Sequence, residues 1–254
     1  MVRLTLPSRQ VEQDRSMAVI YFVRHGQASF GDRDYDRLSQ IGERQSRILG
    51  HHFARVAPRI DLMCSGGMIR HDRTAEITRE SMGDKAPPIR TLSAFAEYDH
   101  VALFRAYLPE FLAQAGDGAN TIDDILADHR LLERALRHVL AAWMENRPHE
   151  GPPVQTWSQF CDQVSAGMED LLAGLKSRSR IMVFTSGGVI TAVLRAALGL
   201  SHLRTLGLAL SIYNASVTQL YYRGSGKFSD ALLLGYNNIT HLEMTGDRDL
   251  ITFR

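Results

Sequence analysis

The sequence is poor in cysteine, in net charge and in long apolar runs. It has two cysteines in 254 residues, Cys64 and Cys161, which are too few for the disulfide framework of a small secreted domain. No stretch reaches the roughly 18 consecutive apolar residues that span a membrane. A formal net charge of +1 argues against the broad basic surface of a nucleic-acid binder. We therefore expect a cytoplasmic protein with neither nucleic acid nor membrane as a partner.

The N-terminal residues also lack the features of a targeting signal. Residues 1–16 include basic side chains but no apolar segment, so they do not form a secretory signal. Met17 stands directly before the first predicted strand, and residues 1–16 are expected to be a flexible extension. The whole chain is 44% apolar and 22% charged, as ordinary globular proteins are, and it is long enough for one large α/β domain or two small ones.

Three segments share one order of elements: a short apolar strand, a turn with glycine, and a helix. The predicted strands are residues 18–23, 60–63 and 181–184. The turns that follow them are Arg24-His25-Gly26, Ser65-Gly66-Gly67 and Thr185-Ser186-Gly187-Gly188. The predicted helices are residues 39–57, residues 68–81 and a third helix that ends at Leu198. This pattern predicts a three-layer α/β/α sandwich with a mostly parallel sheet.

The first of these helices is amphipathic, and Ser39 is its expected N-cap. Its predicted apolar side consists of Ile41, Ile48, Leu49, Phe53 and Val56. Residues 98–156 are rich in helical patterns and are predicted to form a cap insertion over the strand ends. A helix over residues 157–175 and two strands at 211–222 and 228–235 complete the chain. Because the chain returns to the sheet, we predict a single domain over residues 1–254.

The glycine turns lie at the carboxyl ends of the predicted strands, where open α/β sheets bind their ligands. The first turn carries Arg24 and His25, Arg70 follows the second, and Ser186 with Gly187 forms the third. Two arginines, a histidine and glycine-rich backbone at helix N-termini suit a dianion such as phosphate. We expect these residues to converge on a phosphorylated small molecule.

The motifs around these residues resemble those of the histidine phosphatase (phosphoglycerate mutase-like) superfamily. Val23-Arg24-His25-Gly26-Gln27-Ala28 is similar to its opening motif, and Ser65 through Arg70-His71-Asp72-Arg73-Thr74-Ala75 to its second motif. Glu97 falls where the family keeps its proton donor. Tyr213-Asn214-Ala215-Ser216 and the segment 237–242 resemble its C-terminal strands. The resemblance spans about residues 18–245.

The resemblance implies a metal-independent phosphatase that needs no cofactor. In this reading His25 attacks phosphorus and becomes a phosphohistidine, while Arg24 and Arg70 hold the phosphoryl oxygens. Glu97 protonates the departing oxygen and then activates water. That role requires a raised pKa, either through burial or through a neighbouring carboxylate such as Asp99.

One position departs from the family pattern. Ser186 stands where the family usually has a second active-site histidine. A serine hydroxyl can donate one hydrogen bond to a phosphoryl oxygen but lacks the charge of an imidazolium. We therefore expect Ser186 and Gly187 to bind phosphate, with reduced activity unless His71, His100 or His241 compensates. A catalytically degenerate protein that only binds a phosphorylated ligand is the alternative.

Two other enzymatic alternatives remain open at this stage. Cys64 and Arg70 have the spacing of the cysteine-dependent phosphatase loop, although that reading leaves Arg24-His25-Gly26 unexplained. A phosphomutase would use the same histidine but would have to retain the phosphoryl group. The sequence does not identify the substrate, and it leaves both a monomer and a homodimer open.

Overall fold

The computed structural model describes residues 17–29, 36–56, 59–114, 121–175, 178–224 and 228–253. The predicted extension at residues 1–16 lies outside these ranges. So do residues 30–35 in the loop after the first strand, and part of the predicted cap insertion at residues 115–120.

Six strands form one mixed sheet at the centre of the molecule. They are Ala18–Arg24 (β1), Leu62–Ser65 (β2), Ile89–Thr91 (β3), Ser179–Thr185 (β4), Val217–Tyr222 (β5) and Leu232–Asn238 (β6). Their order across the sheet is β3-β2-β4-β1-β5-β6. Neighbours from β3 to β1 are parallel, whereas β5 is antiparallel to both β1 and β6. The predicted mostly parallel α/β architecture is confirmed.

The helices connect these strands and cover both faces of the sheet. Those of the described residues are Gln40–Val56 (α1), Ile69–Met82 (α2), His100–Gln114 (α3), Ile122–Ala127 (α4), His129–Met144 (α5), Trp157–Ala173 (α6), Gly187–Leu198 (α7), His202–Ala209 (α8) and Thr240–Glu243 (α9). One core lies between the sheet and α1 with α2, where Leu49 and Phe53 meet Met63. A larger core on the opposite face holds Phe22 and Val183 against α6 and α7. These two cores confirm the three layers.

Some boundaries differ from the sequence-based prediction. The second strand begins at Leu62 rather than Ile60, and the fifth begins at Val217 because the residues before it form turns. The three-residue strand β3 was not predicted, since it is too short to show an alternating pattern. It pairs with β2 at the edge of the sheet and is only partly covered.

Helix α1 illustrates how the loop before it shapes its buried side. Ser39 is its N-cap as predicted, because its Oγ accepts the backbone N–H of Gly42 at 3.1 Å. Val56 was expected on the apolar side but is 62% exposed. The polar Gln45, by contrast, is fully buried. Its Nε2 donates to the Leu250 carbonyl at 2.8 Å, and its Oε1 accepts the N–H of Gln27 at 2.8 Å. The helix therefore anchors the loop as well as the core.

The segment between β3 and α6 is helical, as the sequence predicts. Helices α3, α4 and α5 enclose a separate apolar cluster of Leu108, Phe111, Ile125, Leu132 and Ala135. Trp143 near the end of α5 joins the main core instead, in contact with Trp157 and Phe160 at ring centroid distances of 5.0 and 5.7 Å. The cap role of residues 98–156 and the single domain over the whole chain stay predictions. Among the described residues, no helix has the length and apolarity to cross a membrane.

The contrast between two positions of α1 gives a test of this packing. Leu49→Ala removes a side chain with no exposed area and leaves a cavity, so we expect the free energy of unfolding to fall by about 2–5 kcal/mol. Val56→Ala changes a residue that is 62% exposed on the same helix and should alter it by less than about 0.5 kcal/mol. Urea denaturation of both variants measures this, and equal losses would contradict the assigned helix face.

Candidate active site

The fold brings the ends of three parallel strands together at one edge. Arg24 at the end of β1 pairs with Thr185 of β4, and Ser65 of β2 pairs with Phe184. The turns after these strands therefore meet, as the sequence predicts. His25, Arg70 and Ser186 are 6%, 3% and 1% exposed, so the candidate site is set into the sheet edge rather than on the surface.

His25 is held on both sides by backbone hydrogen bonds. Its N–H donates to the Thr185 carbonyl at 2.8 Å, and its carbonyl accepts the N–H of Ala215 at 3.1 Å and the Nδ2 of Asn214 at 3.3 Å. Ala215 has a positive φ of 54°, an uncommon conformation for a residue with a Cβ. This turn positions the His25 backbone, and it lies within the segment 213–216 that the sequence marks without revealing its role.

The imidazole of His25 has a defined tautomer. Its Nδ1 lies 2.7 Å from the carbonyl oxygen of Gly26, which can only accept a hydrogen bond. Nδ1 therefore carries the proton, and Nε2 keeps its lone pair. Burial, followed by the positive charges of Arg70 and Arg24, lowers the pKa of His25 well below its usual 6.5. The ring is thus neutral near pH 7, with a nucleophilic nitrogen.

The turn after β1 is tied to helix α2. The N–H of Gly26 donates to Thr74 Oγ1 at 3.0 Å, and that hydroxyl donates to the Arg70 carbonyl at 2.6 Å. Position 26 requires glycine, because the backbone of Gly42 occupies the space that a Cβ would fill. Thr74 is a positioning contact that sequence reasoning missed, although it lies inside the second motif.

The two predicted arginines both act on the charge of His25 and are held by other parts of the fold. Arg70 forms an ion pair with Asp36, Nη1 to Oδ1 at 2.5 Å, while its Nη2 reaches Ser186 Oγ at 3.4 Å. The other carboxylate oxygen of Asp36 accepts the N–H of Ile69 at 2.9 Å, at the start of α2. Arg24 donates from Nη1 to the Ile212 carbonyl. Both guanidinium groups are thereby fixed by the fold beside the imidazole.

Glu97 lies beside the start of α7. Its Oε2 accepts the N–H of Gly188 at 3.0 Å, and a Cβ at Gly188 would collide with the Glu97 carboxylate and the Tyr98 ring. Burial raises the pKa of Glu97 above 4.5, partly opposed by the Gly188 hydrogen bond and by Arg70. Asp99 is not among the causes, since it is exposed and its carboxylate accepts the N–H of Ala102 instead. The raised pKa is that of a carboxyl group suited to acid–base work.

Ser186 and Gly187 occupy the turn that leads from β4 into α7. Ser186 is the N-terminal flanking residue of α7, and Gly187 is the first residue of the helix. A Cβ at Gly187 would be 3.9 Å from Nε of Arg24, so the glycine lies beside that guanidinium. The Ser186 Oγ is 2.6 Å from Nε2 of His71.

The three histidines named as candidates to replace the second imidazole lie in different places. His71 is fully buried, with its ring centroid 5.7 Å from that of His25. His100 is half-buried at the start of α3, where burial and then Arg70 lower its pKa. His241 packs against His52 instead, at a ring centroid distance of 5.7 Å. The ring of His71 is thus in contact with that of His25.

Cys64 has the environment of a structural residue. It lies in β2, has no exposed area and belongs to the core on the α6–α7 side of the sheet. Burial raises the pKa of its thiol to about 12, so the thiolate needed for attack on phosphorus is absent near pH 7. This environment disfavours the cysteine-dependent alternative. Among the residues that the structure describes, no group of three His, Cys, Asp or Glu side chains forms a metal site.

Comparison with known proteins gives one family and many similar folds. The sequence matches the histidine phosphatase superfamily (branch 1) over residues 20–107 and 127–233. These ranges contain every residue assigned to the site above. No curated protein matches the sequence.

Several solved structures share the fold at low sequence identity. Phosphoglycerate mutase from Bacillus anthracis str. Sterne is 16% identical with a TM-score of 0.61, covering 93% of this chain and 100% of its own. The mycobacterial glucosyl-3-phosphoglycerate phosphatase is 20% identical with a TM-score of 0.60, covering 88% and 100%. Phosphoserine phosphatase from Entamoeba histolytica is 15% identical with a TM-score of 0.57, covering 89% and 99%.

His241 gives a pH-dependent test of the region behind the candidate nucleophile. Burial and then His52 lower its pKa from 6.5 to about 4, against a hydrogen bond to the Ala215 backbone. Between these values the unfolded chain binds a proton that the folded chain excludes. The free energy of unfolding should therefore fall as the pH decreases through this window, by up to about 3 kcal/mol from this group.

His241→Gln should remove this part of the pH dependence. We expect a smaller difference between urea midpoints at pH 7 and pH 5 than in the unmodified protein. His51→Gln, at an exposed position of α1, is the matched control and should keep the original difference. Equal differences in all three proteins would show that His241 is not a buried neutral imidazole.

Proposed function

Since the chain belongs to the histidine phosphatase superfamily (branch 1), we propose that it is a metal-independent phosphomonoesterase that forms a phosphohistidine on His25. The substrate is a phosphorylated small molecule, and the reaction proceeds in two steps at the same site, in the cytoplasm. The observation that carries this proposal is the hydrogen bond of 2.7 Å from His25 Nδ1 to the Gly26 carbonyl.

That hydrogen bond supports His25 as the nucleophile for two reasons. It favours the tautomer with the proton on Nδ1, which faces the backbone. The lone pair of Nε2 is then available for attack on phosphorus. The lowered pKa keeps this lone pair unprotonated at neutral pH. A new bond from Nε2 to phosphorus forms as the ester P–O bond breaks, which divides a difficult hydrolysis into two easier displacements.

The charge on the phosphoryl group is balanced by the protein alone. Arg24 and Arg70 offer planar, permanently charged donors close enough to His25 to lower its pKa, and the N-terminus of α7 adds its partial positive charge. Asp36 holds one nitrogen of Arg70, which fixes the direction of the other nitrogen. Ser186 and the backbone at Gly187 complete the set of donors at this helix end. No step in this scheme uses a metal ion.

Glu97 carries the protons of both steps. Burial raises its pKa, which favours the protonated carboxyl group that donates to the departing alkoxide. The resulting carboxylate then accepts a proton from the water that attacks phosphohistidine, as the nitrogen–phosphorus bond breaks. The segment 98–156 begins directly after this residue, and Tyr98 contacts the Gly188 position. We assign to this segment the selection of the substrate.

The nucleophile can be tested with p-nitrophenyl phosphate in the presence of EDTA. The unmodified protein should release p-nitrophenolate, and His25→Ala should lower the rate by at least about 10³-fold because no covalent intermediate can form. Cys64→Ala is the control and should retain the activity. Quenching the reaction should trap a phosphorylated protein that is stable to alkali and labile to acid.

Three outcomes would contradict the proposal in different ways. No hydrolysis across a panel of phosphomonoesters, with retained phosphate binding, would indicate a binding protein. Loss of activity in Cys64→Ala but not in His25→Ala would indicate thiol chemistry. Conversion of 3-phosphoglycerate without net phosphate release would indicate a mutase.

The role of Glu97 has a distinct kinetic signature. In Glu97→Gln, p-nitrophenyl phosphate should still phosphorylate His25, since p-nitrophenolate leaves without protonation. The second step lacks its general base, so a stoichiometric burst should precede a steady state slowed by about 10²–10⁴-fold. An alkyl phosphate should show no burst, because its leaving group needs the proton. Glu80→Gln, on the exposed side of α2, is the control, and unchanged kinetics in Glu97→Gln would refute the assignment.

A further inference from the structure

His71 is a second imidazole beside the nucleophile, and the proposed chemistry does not use it. It follows Arg70 on α2 and has no exposed area. Its ring centroid is 5.7 Å from that of His25, with an angle of 34° between the ring planes. Its Nε2 lies 2.6 Å from the Oγ of Ser186, which is 1% exposed at the start of α7.

Packing alone does not account for this arrangement. No hydrogen-bond partner for Nδ1 of His71 occurs among the described residues, although the atom is buried. Gly66 provides its space, since a Cβ there would be 2.6 Å from that nitrogen. Buried polar atoms without partners are rare in folded proteins and call for a functional or structural reason. An apolar side chain would fill the same volume without this cost.

The unpartnered nitrogen also indicates the tautomer of His71. A buried N–H without a partner is rarer than a buried acceptor without one, so we assign the proton to Nε2. The Nε2–H of His71 then donates to Ser186 Oγ, which also receives a longer hydrogen bond of 3.4 Å from Nη2 of Arg70. A hydroxyl oxygen that accepts two hydrogen bonds has its own proton free for a third group.

We propose that His71 is a positioning residue for phosphoryl transfer, which acts through Ser186 by directing the serine hydroxyl proton at a phosphoryl oxygen. The inference rests on the proposed function. His71 forms and breaks no covalent bond and gives up no proton: Nε2 of His25 bonds to phosphorus, Glu97 protonates the leaving oxygen, and the Ser186 hydroxyl stabilises the charge that develops. The second imidazole of the site thus comes from α2, rather than from position 186 at the end of β4, where the family usually has it.

This assignment changes the meaning of serine at position 186. Serine is not simply a weaker ligand, because His71 and Arg70 together hold and polarise its hydroxyl. The buried side chains of His71 and Ser186, from different elements, then act as one donor. A larger side chain at position 186 would meet the His71 ring, whose Nε2 lies within 2.6 Å of the serine oxygen.

A double-mutant cycle with p-nitrophenyl phosphate tests the pair as a unit. Ser186→Ala and His71→Leu should each lower kcat by about 10²-fold with a much smaller effect on KM, because the donor acts mainly in the transition state. The double variant should be no slower than the slower single variant. His71→Gln places an amide N–H near the position of Nε2 and should recover most of the rate.

The controls separate this inference from the proposed function. If the unmodified protein is active and His25→Ala is not, the proposed function stands whatever the cycle gives. Additive losses in the cycle, or an unchanged kcat in His71→Leu, would then overturn only the role of His71. His51→Leu, at an exposed position of α1, should leave kcat unchanged.

A measurement on the unmodified protein covers the case in which the variants do not fold. Nitrogen-15 NMR of the histidine rings distinguishes the two neutral tautomers, with and without inorganic phosphate. The inference requires the proton on Nε2 of His71 and on Nδ1 of His25. A proton on Nδ1 of His71 would mean that the serine hydroxyl donates to the imidazole rather than to a ligand, and the inference would fail.

Discussion

The hydrogen bond between His25 Nδ1 and the Gly26 carbonyl, 2.7 Å long, is the contact on which the rest of the site depends. It holds the imidazole against its own backbone, and that backbone is in turn fixed between β4 and the turn at Asn214. Burial and two guanidinium groups then keep the ring neutral. A carbonyl one residue away therefore sets both the direction and the protonation of the candidate nucleophile.

Burial and the nearby positive charges affect the pKa values of His25 and Glu97 differently. Positive charge lowers the pKa of His25 and opposes the rise in the pKa of Glu97, whereas burial lowers the first and raises the second. For the carboxyl group burial outweighs the arginines, so the two pKa values shift in opposite directions, towards a neutral imidazole for His25 and towards a protonated carboxyl group for Glu97. The proposed proton transfers need this combination of shifts, and desolvation at the sheet edge favours it.

Much of the fold and part of the site could be predicted from the sequence. Three strand–turn–helix segments imply a parallel sheet, and parallel strands end at one edge, so the meeting of His25, Arg70 and Ser186 follows from topology. The bond between Ser186 and His71 does not, because 115 residues separate them and the rotamers of two buried side chains decide it. Strand β3 was missed because three residues carry no periodicity. Val56 was wrongly expected on the buried side of α1, because a helix pattern does not show how far the elements packed against the helix extend.

Cys64 was first of interest for its spacing to Arg70, but its environment has another consequence. Oxidants and alkylating reagents attack the thiolate, and a thiol with a pKa of about 12 in the middle of a strand offers almost none. Cys161 is partly exposed, yet burial raises its pKa to about 11 as well. With both thiols held in their neutral form, neither cysteine offers peroxide the thiolate that it attacks in thiol-dependent phosphatases.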